Sequence, residues 1–188
     1  MTDEKPLRAD ALRNRQRVLE VAQEVFATQG LAVPIDEIAQ RAGVGVGTLY
    51  RHFPTKETLF VAVVLSRMEA AAADAHALLR SPDPGPAFFG FIERLVHQGS
   101  TKKDLFEALA ATGPDYKTSI GDAKKELKAA LARLLARAQR VGAVRKDATV
   151  EDVFALIHGP FAAIGRDADP KARARLLNIV CDGLRAER

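Results

Sequence analysis

Between Ile35 and Lys56 the chain reads IDEIAQRAGVGVGTLYRHFPTK, and here the side chains suited to holding a phosphate backbone and reading base edges come together. Thr48, Tyr50, Arg51 and His52 fall within five residues, Val46 stands just before them and Lys56 just after. Hydroxyl, imidazole, guanidinium and ammonium groups donate to phosphate oxygens or to base edges, and an apolar side chain such as Val46 can touch a thymine methyl. Lys56 sits where a helix is expected to begin, so free N–H groups and the positive dipole end add to its pull on phosphate. Further upstream Lys5, Arg8, Arg13, Arg15 and Arg17 are opposed only by Asp10. Such a basic arm, Arg15 included, can contact phosphates. No residues are spaced for catalysis. There is no Ser-His-Asp setting, no Gly-rich phosphate loop, and no two His with carboxylates at i, i+4 to suggest a metal site. No catalytic residue, metal or cofactor is expected, and the chain reads as a non-enzyme.

A reading face of this kind needs a helix-turn-helix to present it. Two helices can cross closely only over a small side chain, and Ala39 supplies it. The turn needs a residue tolerant of positive φ, and Gly43 supplies that. Ile35, Ile38, Val44, Leu49 and Phe53 are the apolar anchors on either side, which leaves the outer face of the second helix for a major groove. The supporting helices follow from periodicity and breakers. A first helix over about 9–29 carries Val18, Ala22, Val25 and Phe26 on one face and stops at Gly30. Pro34 suits the first turn of the second helix. The third spans 46–52 and is broken by Phe53-Pro54. Thr55 caps a long fourth helix reaching about residue 79.

Strand signals are nearly absent, so the chain reads as all-α with about nine helices: an N-terminal domain over 1–56 and a C-terminal domain over 57–188. Ser81 to Pro86 is the strongest breaker and reads as a turn. Helices are expected over about 87–98 and 102–111. Next comes a helix with the stripe Leu127, Leu131, Leu134, Ala138 and Val141, stopped by Gly142. Thr149 and Asp152 form a capping-box-like start to a helix with Pro160 inside it. Asp169-Pro170 opens the last. Of 188 residues, 47% are hydrophobic and 28% charged, with a net charge of +4, as in a water-soluble globular protein. The single Cys181 excludes an internal disulfide framework and reads as a small buried hydrophobe. No apolar run is long enough to span a bilayer, and the first ten residues lack the apolar stretch of a secretory signal. A cytoplasmic location without membrane contact is the expectation.

Residues 18 to 64 resemble the N-terminal domain of the TetR family of bacterial transcriptional repressors. The matching residues are Phe26, Gly30, Ile38, Ala39, Ala42-Gly43-Val44, the run Gly47 to Phe53, and Lys56-Glu57. The resemblance implies a homodimer with two DNA-binding heads on a palindromic operator, in double-stranded DNA, and a C-terminal regulatory domain that answers a small-molecule effector. It implies that Thr48 touches DNA, that Tyr50 and His52 hold phosphate or a base edge, and that Lys56 holds phosphate. Two departures stand out. The polar pair usual after the turn is Gly45-Val46 here, and the second helix begins at Val33-Pro34 without a hydroxyl cap.

For the remainder, the resemblance implies a pocket among the middle helices, with Phe88, Phe91, Phe106, Tyr116, Phe154 and His158 as candidate lining. It also implies a dimer interface on the last two helices, with Phe154, Ile157, Phe161, Leu176, Leu177, Val180 and Leu184 as candidates. The best reading is a ligand-released repressor. The alternative is an architectural or effector-independent DNA-binding protein. An enzyme with a helical head has no supporting residues.

Overall fold

The computed structural model describes residues 4–97, 114–163 and 169–186. Among the described residues there are eight α-helices and no strand: α1 (Glu4–Gln29), α2 (Ile35–Ala42), α3 (Val46–His52), α4 (Lys56–Leu78), α5 (Pro84–His97), α6 (Pro114–Arg140), α7 (Val150–Ala163) and α8 (Pro170–Leu184). The all-α class is as expected, and each helix answers to one of the nine anticipated. The ninth, over 102–111, lies outside the described residues. The chain divides into two units, the first ending at Arg67 but taking in α6 through Ile120, the second running from Met68 and taking Gly121 onward.

In the first unit α1 packs on α2 and α3. Its apolar stripe Val18, Ala22, Val25 and Phe26 is buried, and the Phe26 ring meets Phe60 edge-on with centroids 5.3 Å apart. Gly30 takes φ 65 and turns the chain out of α1 into a short 3-10 turn over Gly30–Ala32. Pro34 lies in extended backbone at the N-cap of α2, without a side-chain cap, one position ahead of the helical turn expected for it. At the start of α4, Thr55 and Thr58 cap reciprocally: the Thr58 N–H donates to Thr55 Oγ1 and the Thr55 N–H to Thr58 Oγ1, each at 3.1 Å.

The second unit is built on an apolar core in which Phe88, Phe91, Ile92, Leu131 and Leu134 are all but inaccessible to water. Helix α5 starts at Pro84, earlier than the expected Ala87, because Pro84 and Pro86 both fit a first turn that needs no N–H from them. Gly85 is required by packing, since a Cβ there would come 2.8 Å from the Ala143 Cβ. The Arg137 guanidinium donates to the carbonyls of Leu78, Leu79 and Ser81 and so closes the end of α4. Gly142 at φ 71 stops α6. Val141, expected on the apolar stripe of that helix, is instead exposed, because α6 ends one residue earlier, at Arg140.

Thr149 and Asp152 form the reciprocal box: the Thr149 N–H donates to Asp152 Oδ2 at 2.9 Å and the Asp152 N–H to Thr149 Oγ1 at 3.2 Å. The Asp169 carboxylate accepts from the Lys171 N–H at 3.0 Å and caps α8 ahead of Pro170. The chain after α8 is held to the turn before α7 by the Arg145 N–H, which donates to the Leu184 carbonyl at 3.0 Å. No helix among the described residues is long and apolar enough to cross a membrane.

Candidate nucleic-acid interface

The turn between α2 and α3 forms for the reasons its residues suggest. Ala39 and Ile38 are fully buried, Ile35 nearly so. Gly43 adopts the left-handed conformation, φ 65 and ψ 33, which a side chain with a Cβ adopts only at a cost. Its N–H donates to Gln40 O at 3.1 Å, and the Val44 N–H donates to Ala39 O at 3.1 Å. These two bonds satisfy the last carbonyls of α2 and aim the chain into α3. Leu49 and Phe53 are buried beneath α3, and Val44 is half-buried.

What remains on the outside of α3 is the candidate reading face. Arg51 is exposed, as are Gly45 and Gly47. Val46 is 40% exposed and Tyr50 43% exposed, and one helical turn separates them, so they share a side. Thr48 is half-buried, with its hydroxyl turned back toward Gly45. His52 is also half-buried, its ring tilted on Phe53 with centroids 6.3 Å apart. Of the four polar candidates on α3, Arg51 and Tyr50 are therefore the most open.

The cations around α3 are placed by through-space contacts that spacing did not show. Lys56 donates from Nζ to the Val33 carbonyl at 3.3 Å, tying the start of α4 to the turn before α2. An ammonium carries three donors, so that bond leaves capacity for a phosphate. The Arg15 guanidinium lies over the Phe53 ring, 5.4 Å from its centroid, which sets it beside the end of α3. Arg17 lies along the turn, with Nη1 3.8 Å from the place a Cβ on Gly43 would take. Arg13 is paired with Asp10. The side chains of Lys5 and Arg8 lie outside the described residues. The signal for the Arg15 contact was an aromatic at the end of the reading helix, but only folding shows which arginine reaches it.

The residues expected at a pocket and at a dimer face fall mostly in the second unit. Phe88 and Phe91 are buried in the core of the second unit. Phe154 is half-buried against the same core, and Tyr116 belongs to the first unit. Phe106 and the side chains of His158 and Phe161 lie outside the described residues. Ile157, Leu177, Val180 and Leu184 are buried within the chain itself; Leu176 is half-buried on the same core. The outer face of α8 carries Arg175, Asn178 and Gly183 around Ile179, which is 67% exposed. On neighbouring α7 the exposed positions include Ala155 and Gly159. Cys181 is half-buried, and burial pushes its thiol above the usual cysteine range, in keeping with a small apolar residue. No group of His, Cys, Asp or Glu able to hold a metal occurs among the described residues.

A helix-turn-helix that buries one side of its second helix and opens the other to solvent near several cations is the form of a DNA-binding module. Comparison with known proteins gives the family. Residues 18–63 match the model for bacterial regulatory proteins of the tetR family, and residues 83–186 match that for the C-terminal domain of SbtR-like transcriptional regulators. The crystal structure of a TetR transcription regulatory protein from Mycobacterium vanbaalenii is 44% identical, covers 96% of this chain and 100% of its own, and superimposes with a TM-score of 0.74. The TetR transcriptional regulator SCO0520 from Streptomyces coelicolor is 31% identical over 93% of this chain and 99% of its own, with a TM-score of 0.75. The HTH-type transcriptional regulator SAB2452 of Staphylococcus aureus is 42% identical over 59 residues. That match spans 31% of this chain and 32% of that curated relative's length. The chain belongs to the TetR family.

Proposed function

We propose that the chain is a repressor that binds a palindromic operator as a homodimer in the cytoplasm and leaves it when a small-molecule effector binds. Residues 1–56 act as the reading head and residues 57–188 as the regulatory body. The observation that carries this reading is the open outer face of α3, with Val46, Tyr50 and Arg51 outward and Leu49 and Phe53 buried behind them. In this reading Thr48, Tyr50, Arg51 and His52 provide the polar contacts of α3, while Lys56 and Arg15 hold phosphate. The dimer forms through α7 and α8, with Ile179 at the centre of the face that the buried residues leave outside. Effector binding shifts the population toward a head spacing that no longer fits both half-sites, and α4 transmits the change.

A gel shift with the DNA upstream of the chain's own gene tests the reading. Binding at moderate salt should be much tighter than to random duplex of the same length, because specific contacts add to the phosphate term. Equal affinity for the two would sink it. The alternative is a DNA-binding protein that answers to no effector.

A further inference from the structure

Two of the described helices pass between the units. Helix α4 leaves the first unit after Arg67 and α6 leaves it after Ile120. They cross on different kinds of sequence. Around its crossing α4 reads Leu65-Ser-Arg-Met-Glu-Ala70, in which all but Ser66 are strong helix formers. Helix α6 reads Thr118-Ser-Ile-Gly121 at its crossing. Thr118 and Ile120 are β-branched, Ser119 competes for backbone partners, and glycine is the poorest helix former after proline. From Ala123 to Arg140 the same helix is Ala, Leu, Lys, Arg, Glu and Gln throughout. The weak run therefore falls where α6 changes unit.

The contacts at this place agree. The Ser119 hydroxyl donates to the Asp115 carbonyl at 3.0 Å, four residues back, and a bond of that kind loosens and bends a helix. Gly121 is exposed, and a Cβ there would meet nothing within 4 Å, so packing does not demand glycine. Gly159 and Gly183 are as open but lie within the second unit. On either side of the weak run α6 is held. Ile120 is buried before it, and Ala123, Leu127, Ala130 and Leu131 are buried after it. His76 and Glu126 meet at 2.8 Å, and Lys128 pairs with Glu151. A serine and a glycine close together are where helices bend. We propose that Thr118 to Gly121 form a hinge in α6. Residues 122–140 stay in the core of the second unit, α4 crosses as a stiff rod, and bending at Gly121 lets the reading head take more than one position. The hinge thereby sets how strictly the dimer selects the spacing of its half-sites. The inference rests on the repressor reading above.

Hydrogen exchange on the full chain reads the hinge without DNA. Amides of residues 121–125 should exchange about tenfold or more faster than those of 128–138. Gly121→Ala should slow them by about fivefold and raise the Tm by about 2–4 °C. Uniform exchange along α6, or exchange that Gly121→Ala leaves unchanged, overturns the hinge. The second arm takes the duplex enriched from a random-sequence library and inserts one base pair between its half-sites. The loss of affinity should be larger in Gly121→Ala than in the native chain by about threefold or more, although the variant is the more stable protein. Ala129→Gly, at an exposed position of α6 in the second unit, should lower the Tm by about 2–4 °C and keep the native spacing penalty. An equal penalty in the native chain and Gly121→Ala overturns the inference, as does an altered penalty in Ala129→Gly. A library from which nothing is enriched overturns the repressor reading and the part of the hinge in operator fit, while exchange still decides the hinge itself.

Discussion

Lys56 shows how one side chain can serve both the fold and the partner. Its Nζ donates to the Val33 carbonyl, an internal tie, and its remaining donors and its charge are available to phosphate. The two roles separate by substitution. Lys56→Gln keeps a donor for Val33 but removes the charge, whereas Lys56→Ala removes both. Each should lower the slope of log affinity against log salt by about one per subunit. Only Lys56→Ala should also lose about 1 kcal/mol of stability, the net worth of a typical hydrogen bond. Fluorescence anisotropy across a salt series and urea denaturation would measure the two effects. An unchanged slope in both variants removes Lys56 from the phosphate contacts. Arg15 is a comparable case, because its place over Phe53 holds a guanidinium against the end of α3 while leaving its N–H groups free to donate.

At the scale of elements, the helices of this chain start in contrasting ways. Helix α3 begins bare, at Gly45. Helix α7 begins with the Thr149–Asp152 box, and α8 with Asp169 ahead of Pro170. The hydroxyl of Thr149, followed by its backbone N–H, stabilises the ionised Asp152 and holds that carboxyl below the usual aspartate range. A carboxylate depressed on folding stabilises above its unfolded pKa, and that contribution is lost as pH falls through the folded value. Thr149→Val should therefore lower stability near neutral pH, as loss of an N-cap does. The gap between native and variant should narrow in acid, below the ordinary carboxylate range. Chemical denaturation at pH about 7 and about 3 would show it. A gap that widens in acid would contradict the role given to Asp152.

For the whole molecule, the decisive surface is the one that α8 leaves uncovered. Ile179 at 67% exposure is a large apolar side chain facing water in the single chain, beside Arg175 and Gly183. A charge there has little effect on a monomer but is costly inside an interface. In the proposed homodimer, Ile179→Asp should give a monomer, measured by sedimentation, with helical content unchanged by circular dichroism. Operator affinity should fall by about a hundredfold or more, because two half-sites would no longer be held by one linked pair of heads. A variant that stays dimeric would move the interface away from this face of α8.

Much of this was decided locally and could be read from the sequence. Glycines at positive φ, proline at helix starts and hydroxyl or carboxylate caps act within a few residues. Gly30, Gly43 and Gly142 end their elements, and Thr149 and Asp169 begin theirs, whatever surrounds them. The helix-turn-helix belongs with these, because its small residue, its turn glycine and its anchors all fall between Ile35 and Phe53. Tertiary structure alone decided which partner each face meets. Helix α8 has apolar residues on more than one side, and periodicity does not say that Leu177, Val180 and Leu184 turn inward while Ile179 stays out. Nor does it say that Phe88 and Phe91 fill a core, that Lys56 reaches Val33, or that Arg15 settles on Phe53. Those contacts join residues far apart in the chain, and their geometry exists only once helices pack.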